Sequence, residues 1–153
     1  MVFKLNLSEK SGKTWKFETE NEFFLEKSLG DKIEGKEISG DLSGYEFEIT
    51  GASDSAGFPA FKEVEGIGLN KLLLNYGKGM HKKPKGLKKK GKKPEGLRLR
   101  KTVRGKMISS AIIQINLKIL KHGHKSLQEI FPEQNKSKEA HTNNAELNKE
   151  EAK

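Results

Sequence analysis

The chain has 153 residues, of which 33% are hydrophobic and 33% are charged, and its formal net charge is +9 at pH 7. This length allows one domain and a tail. The absence of cysteine excludes disulfides and thiolate metal sites. With no apolar run that could cross a bilayer and no signal-peptide pattern, we expect a soluble cytoplasmic protein, whose positive charge favours a polyanionic partner.

The N-terminal part of the chain has the alternation typical of β-strands. Residues 3–7 and 14–18 each alternate apolar with polar side chains, and a turn signal lies between them at 11–13. Together they predict an antiparallel hairpin. Residues 21–29 are rich in Phe and Leu, and the sequence leaves open whether they form a short helix or an irregular apolar plug.

Further apolar segments complete the predicted domain. Residues 45–50 and 113–119 alternate as strands do, and the triplet 72–74 predicts a short buried segment. After a last apolar cluster that stops at Pro132, the chain has almost nothing to bury. We therefore predict a mainly β domain over residues 1–131 and a disordered tail over 132–153.

The most informative feature is a basic segment over residues 78–106. It holds fourteen basic residues against the single acid Glu95, so it carries +13 while the rest of the chain carries −4. Such a segment repels itself, and phosphates would relieve that repulsion while releasing counterions. We expect an extended arm that binds RNA through Lys78, Lys82, Lys83, Lys85, Lys88, Lys89, Lys90, Lys92, Lys93, Arg98, Arg100, Lys101, Arg104 and Lys106.

Other partners fit the basic segment less well. A membrane-surface segment needs a large apolar face, which residues 78–106 lack. Prolines and glycines oppose a helix that reads a DNA groove, and no exposed aromatic platform for stacking bases is evident. Recognition of backbone and shape on folded RNA remains, although these residues alone favour RNA over DNA only in part.

Signals for catalysis and metal binding are weak. Residues 86–93 match most of a phosphate-binding loop, but Lys93 stands where a Ser or Thr must hold magnesium. His122 and His124 could chelate a metal weakly, with no cysteine or nearby carboxylate to complete a site. Asp54 is best explained as a loop cap. We therefore predict no enzyme, no metal, no cofactor and no small-molecule substrate.

Three motifs resemble the archaeal and eukaryotic family of small-subunit ribosomal protein six. Residues 49–59 resemble the glycine-rich loop of the family that ends in Gly-Phe-Pro, and residues 97–105 its basic segment ending in Val-Arg-Gly. Residues 112–117 are similar to the strand that follows. The resemblance covers about residues 1–131. This chain differs in Ala52 and Ala60, in a lysine-rich stretch where relatives carry more arginine, and in lacking a long basic C-terminal helix, which implies an archaeal-type member.

The resemblance implies a compact β-barrel-like domain on small-subunit ribosomal RNA, beside other ribosomal proteins, with a structural role in assembly. It implies RNA contacts by Arg98, Arg100, Lys101 and Arg104, and a structural loop formed by Gly51, Asp54, Gly57, Phe58 and Pro59. Replacing the three arginines by alanine is then expected to weaken RNA binding with little effect on the thermal midpoint. A non-ribosomal RNA- or DNA-binding module is the alternative.

Overall fold

The computed structural model describes residues 2–81 and 95–135, and most of its regular structure is strand. The strands in chain order are β1 (Phe3–Ser8), β2 (Thr14–Thr19), β3 (Lys32–Glu34), β4 (Glu46–Asp54), β5 (Leu69–Asn75), β6 (Arg98–Arg104) and β7 (Ile112–Lys121). The helices are α1 (Gly35–Ile38) and α2 (Leu127–Ile130), with 3-10 turns at Glu22–Phe24 and Gly40–Leu42. Neither described helix could span a membrane.

Five strands form one mixed sheet in the order β2-β1-β7-β4-β3, and β5 pairs with β6 in a separate ribbon. The β1–β2 pairing is antiparallel, as the sequence predicted, whereas β1 lies parallel to β7. The mainly β prediction is therefore confirmed. Barrel closure is not, because β2 and β3 stand at the two ends of the sheet order among the described residues.

One face of the sheet forms the main core. The alternation in β1 buries Phe3, Leu5 and Leu7 completely, and Ile115 and Leu117, the β7 partners of Leu5 and Leu7, are buried equally well. Burial of each side chain of this size stabilises the folded state by about 1.5–3 kcal/mol. The segment that the sequence left open begins with the 3-10 turn Glu22–Phe24, which Asn21 caps by accepting a hydrogen bond from the Phe23 backbone N–H. The turn delivers Phe24 to this core.

The free edge of β2 is covered by the last described residues. The backbone N–H of Lys16 donates to Oε1 of Gln134 at 2.7 Å, and Nε2 of Gln134 donates to the Lys16 carbonyl at 2.8 Å. The amide thus replaces the next strand in the ladder and protects an edge that could pair with another chain. Gln134 and Asn135 fall in the predicted tail, whereas residues 136–153 lie outside the described residues.

The β5–β6 ribbon has its own small core, in which Leu72 and Leu74 pack against Phe61, Val64 and Val103. Between them, Leu73 points to the opposite face and is 54% exposed. The prediction of a buried leucine triplet is therefore wrong for Leu73. In a two-stranded ribbon that is covered on one face, only every second side chain is buried. An uninterrupted apolar run therefore leaves some of its side chains exposed.

Gly105 joins the ribbon to the rest of the domain by close backbone contact. Its N–H donates to the Gly68 carbonyl at 3.1 Å, and an added Cβ would overlap the Gly66 carbonyl. Gly105→Ala is expected to lower the free energy of unfolding by about 1–3 kcal/mol, because backbone must move to make room. Gly68→Ala is the control, since an added Cβ there meets nothing within 4 Å. Chemical denaturation of both variants tests this; equal stabilities would contradict the expectation.

Candidate nucleic-acid interface

The outer face of the β5–β6 ribbon carries exposed cations. Arg98 and Arg100 alternate with the inward-facing Leu99 along β6, and both are exposed. Antiparallel pairing places Arg100 opposite Leu73 and Arg98 opposite Asn75. Neither arginine has an acidic partner among the described residues. Their guanidinium groups are therefore available to an external anion.

Sequence reasoning missed Lys71, which belongs to the same outer face. It is exposed on β5 opposite Thr102, between Leu69 and Leu73. The available signal was the period of two, which places Leu69, Lys71 and Leu73 on one face of a strand. The run of three leucines at 72–74 favoured a buried segment instead. Because exposed Leu69 and Leu73 flank Lys71, the surface mixes cationic with apolar side chains.

Three other predicted contacts are partly buried or already have a partner within the described chain. Lys101 faces inward beside Leu72 and is half-buried. Nζ of Lys78 lies 5.0 Å from the centroid of the Phe61 ring, a cation–π contact. Lys106 forms an exposed ion pair with Glu65 at 3.4 Å. These cations are thus less freely presented than Arg98 and Arg100.

Arg104 has a different environment from the one the sequence predicted. Its Nε donates to Oδ2 of Asp54 at 2.9 Å, and Nη1 donates to the Ile67 carbonyl at 3.3 Å. The Asp54 side chain is 2% exposed and that of Arg104 18%. The guanidinium therefore neutralises a buried carboxylate, and this contact leads us to expect that removal of Arg104 lowers the stability of the fold.

Burial raises the pKa of Asp54, but hydrogen bonds from the Arg104 guanidinium and from the Phe58 and Ala56 backbone, with the charge of Arg104, hold it below its ordinary value. The carboxylate is thus ionised at neutral pH. The same carboxylate binds Arg104 and caps the loop, since its Oδ1 accepts the Phe58 N–H at 2.8 Å. Because Arg104 is the last residue of β6 and Asp54 the last residue of β4, this ion pair joins the ends of the two strands.

The predicted structural loop is a tight reversal at the end of β4. The Asp54 N–H donates to the Phe58 carbonyl at 3.2 Å, and the Gly57 N–H donates to the Asp54 carbonyl at 3.0 Å. Gly57 has φ +82°, which favours glycine, and Pro59 forms a bridge with Ser53. Gly51 lies earlier, at a register irregularity of β4. The loop ends where the Pro59 carbonyl accepts the Arg104 N–H at 2.9 Å.

Part of the predicted RNA-binding segment lies outside the described residues. The lysines concerned are Lys82, Lys83, Lys85, Lys88, Lys89, Lys90, Lys92 and Lys93, and the phosphate-loop-like stretch 86–93 lies outside the described residues as well.

The histidine considered as a weak metal ligand lies beside an acid: His122 Nε2 is 3.9 Å from Oε1 of Glu9. Residues 2–81 and 95–135 contain no group of three His, Cys, Asp or Glu side chains that could hold a metal ion.

Fold and site together define a mainly β domain that presents basic side chains on a two-stranded ribbon. The chain matches the ribosomal protein S6e family over residues 3–132, and it belongs to that family. Its relatives named small ribosomal subunit protein eS6 include those of Methanococcus maripaludis strain C6 and Nanoarchaeum equitans. They are 38% and 40% identical, over 80% and 86% of this chain and 90% and 91% of their own. The Halobacterium salinarum protein of that name is 35% identical over 79% of this chain and 86% of its own.

These matches confirm the family that the motifs predicted, and they agree with an archaeal type. The family is one of ribosomal proteins, so the coarse prediction of a ribosomal constituent, not an enzyme, is confirmed. RNA binding by the individual cations stays a prediction.

Proposed function

We propose that this chain, as a structural constituent of the small ribosomal subunit in the cytoplasm, binds ribosomal RNA through its basic segment and contributes to subunit assembly. The ribbon supplies a rigid part of that contact, with Arg98, Arg100 and Lys71 on its outer face. The lysines of residues 82–93 supply the remaining charge. Neighbouring ribosomal proteins are the other expected partners.

The observation that carries the proposal is the outer face of the ribbon. Its two arginines are exposed without an acidic partner in the described chain, although the chain outside residues 78–106 carries a net charge of −4. Arginine presents a planar fork of donors that matches phosphate oxygens in pairs. Arg104 is assigned a structural role in this proposal because Asp54 already occupies its guanidinium.

Replacing both Arg98 and Arg100 by glutamine is expected to weaken binding to a small-subunit RNA transcript. The dependence of log affinity on log salt should fall by about 1 per residue, so by about 2 in all, if each contacts one phosphate. Equilibrium binding at 50–200 mM salt measures this. The thermal midpoint should stay unchanged, since both side chains are exposed.

The matched control replaces Lys10 and Lys36 by glutamine, which removes two exposed charges far from the ribbon in sequence. An equal loss of slope in both double variants would mean that only net charge matters, and it would contradict an RNA contact at the ribbon. Competition with duplex DNA at matched salt separates the ribosomal function from a general nucleic-acid-binding module, for which the two affinities would be equal.

A further inference from the structure

Three amide side chains meet on the face of the five-stranded sheet that points away from the core. Asn6 on β1 lies directly opposite Asn116 on β7, and Gln114 is two residues before Asn116. Oδ1 of Asn116 accepts from Nδ2 of Asn6 at 3.0 Å and from Nε2 of Gln114 at 3.1 Å. Residues more than 100 positions apart in the chain thus form one hydrogen-bonded amide cluster.

The cluster leaves hydrogen-bonding groups unused. Oδ1 of Asn6, Oε1 of Gln114 and Nδ2 of Asn116 have no partner among the described residues. They are not sequestered, because the Trp15 indole nitrogen is the one buried, unpaired side-chain polar atom in the described chain. Two acceptors and one donor are therefore held in fixed positions at the surface.

The surroundings of the cluster are polar and carry cations. Lys16 is the β2 neighbour of Asn6, Lys4 is the β1 neighbour of Gln114, and both are exposed. Lys4 pairs with Glu18 at 3.6 Å, whereas Lys16 has no acidic partner among the described residues. On the β4 side the neighbour of Asn116 is Gly51, whose missing side chain leaves the Asn116 amide nitrogen uncovered.

The simplest role for such amides is to satisfy one another across a sheet. That role explains the two hydrogen bonds, but it does not explain why one donor and two acceptors remain turned to solvent. A protein partner would be met by an apolar and aromatic centre, which this cluster lacks. A surface of amides edged by lysines matches the minor groove of an A-form RNA helix, which displays 2′-hydroxyls and base edges between phosphates.

We propose that Asn6, Gln114 and Asn116 form a second RNA contact, which takes the minor groove of a duplex segment by hydrogen bonds to its 2′-hydroxyls and base edges. The inference rests on the proposed function, since it assumes that the protein binds ribosomal RNA. It adds a contact that recognises the ribose and not the charge alone. Lys16 lies beside it to meet the flanking phosphates.

The test uses the full chain, with Gln114→Met and Asn116→Ala as separate variants. Each is expected to weaken binding to a short RNA duplex about 3- to 10-fold, the effect of one or two lost hydrogen bonds. Binding to the DNA duplex of the same sequence should not change. The salt dependence should also stay as in the wild type, because amides release no counterions.

Gln128→Met is the matched control, since Gln128 is an exposed amide on α2 outside the cluster. Should Asn116→Ala unfold the chain, Gln114→Met still decides, because it leaves the Asn6–Asn116 hydrogen bond in place. The inference is overturned if Gln114→Met binds the RNA duplex as tightly as the wild type does. It is also overturned if the variant loses equal affinity for the RNA and the DNA duplex. Normal RNA affinity with failed incorporation into subunits would overturn it as well, and would indicate a protein partner. A wild-type chain that binds no ribosomal transcript overturns the proposed function instead.

Discussion

Replacing Arg104 by alanine is expected to lower the free energy of unfolding by about 3 kcal/mol, because a buried carboxylate loses its guanidinium partner. The Asp54 side chain is 2% exposed, so Arg104 and the loop backbone satisfy this carboxylate in the folded chain. The same change also removes the hydrogen bond to the Ile67 carbonyl. Urea denaturation measures the effect.

The exposed pair between Lys106 and Glu65 provides the control. Lys106 follows Arg104 by two residues, and its partner Glu65 is 90% exposed. Glu65→Gln is expected to change stability by less than about 1 kcal/mol, as exposed ion pairs usually do. Equal effects of Arg104→Ala and Glu65→Gln would show that the Asp54 pair contributes no more than a surface pair.

The pH dependence of stability gives a second readout for the same pair. The pKa of Asp54 is lower in the folded chain than its ordinary value of 3.8. The carboxylate therefore stabilises the fold above that value, and this contribution is lost as the pH falls through the folded pKa. Asp54→Asn should be less stable at neutral pH and should lose less stability on acidification. An unchanged acid transition in Asp54→Asn would contradict this assignment.

The sequence predicted the parts of the fold in which one face of a strand is buried. Residues 3–7, 45–50 and 113–119 alternate because their strands have one face on the core, and each was found as a strand. The parallel pairing of β1 with β7 was not predictable in this way. The period of two fixes which side chains face inward, but it does not say which strands are neighbours.

The site was predictable in its charge and not in its contacts. Asp54 was correctly expected to cap its loop, and Phe58 does donate to it. A buried carboxylate needs a cation, but fourteen candidates 24–52 residues away gave no means of choosing Arg104. The alternation likewise marks Asn6 and Asn116 only as polar positions of two strands, because their contact depends on the β1–β7 pairing, which the sequence does not predict.

Replacing the eight lysines of residues 82–93 by glutamine is expected to cause the largest loss of RNA affinity. Each lysine that contacts a duplex phosphate contributes about 0.9 to the slope of log affinity against log salt. Between 50 and 200 mM salt one such contact therefore accounts for about half a log unit. If four to eight lysines make contacts, the fall in affinity over this range should be about 10²- to 10⁴-fold smaller in the variant.

This prediction separates charge from fold, because glutamine removes the positive charge of each lysine and keeps a polar side chain. The thermal midpoint of the variant should match that of the wild type, and co-sedimentation with small subunits should fail at a lower salt concentration. A control with the same eight lysines changed to arginine keeps the charge and should keep the slope. If the glutamine variant retains the salt dependence of the wild type, then the lysines do not contact phosphate, and the ribbon with Arg98 and Arg100 must carry the RNA binding alone.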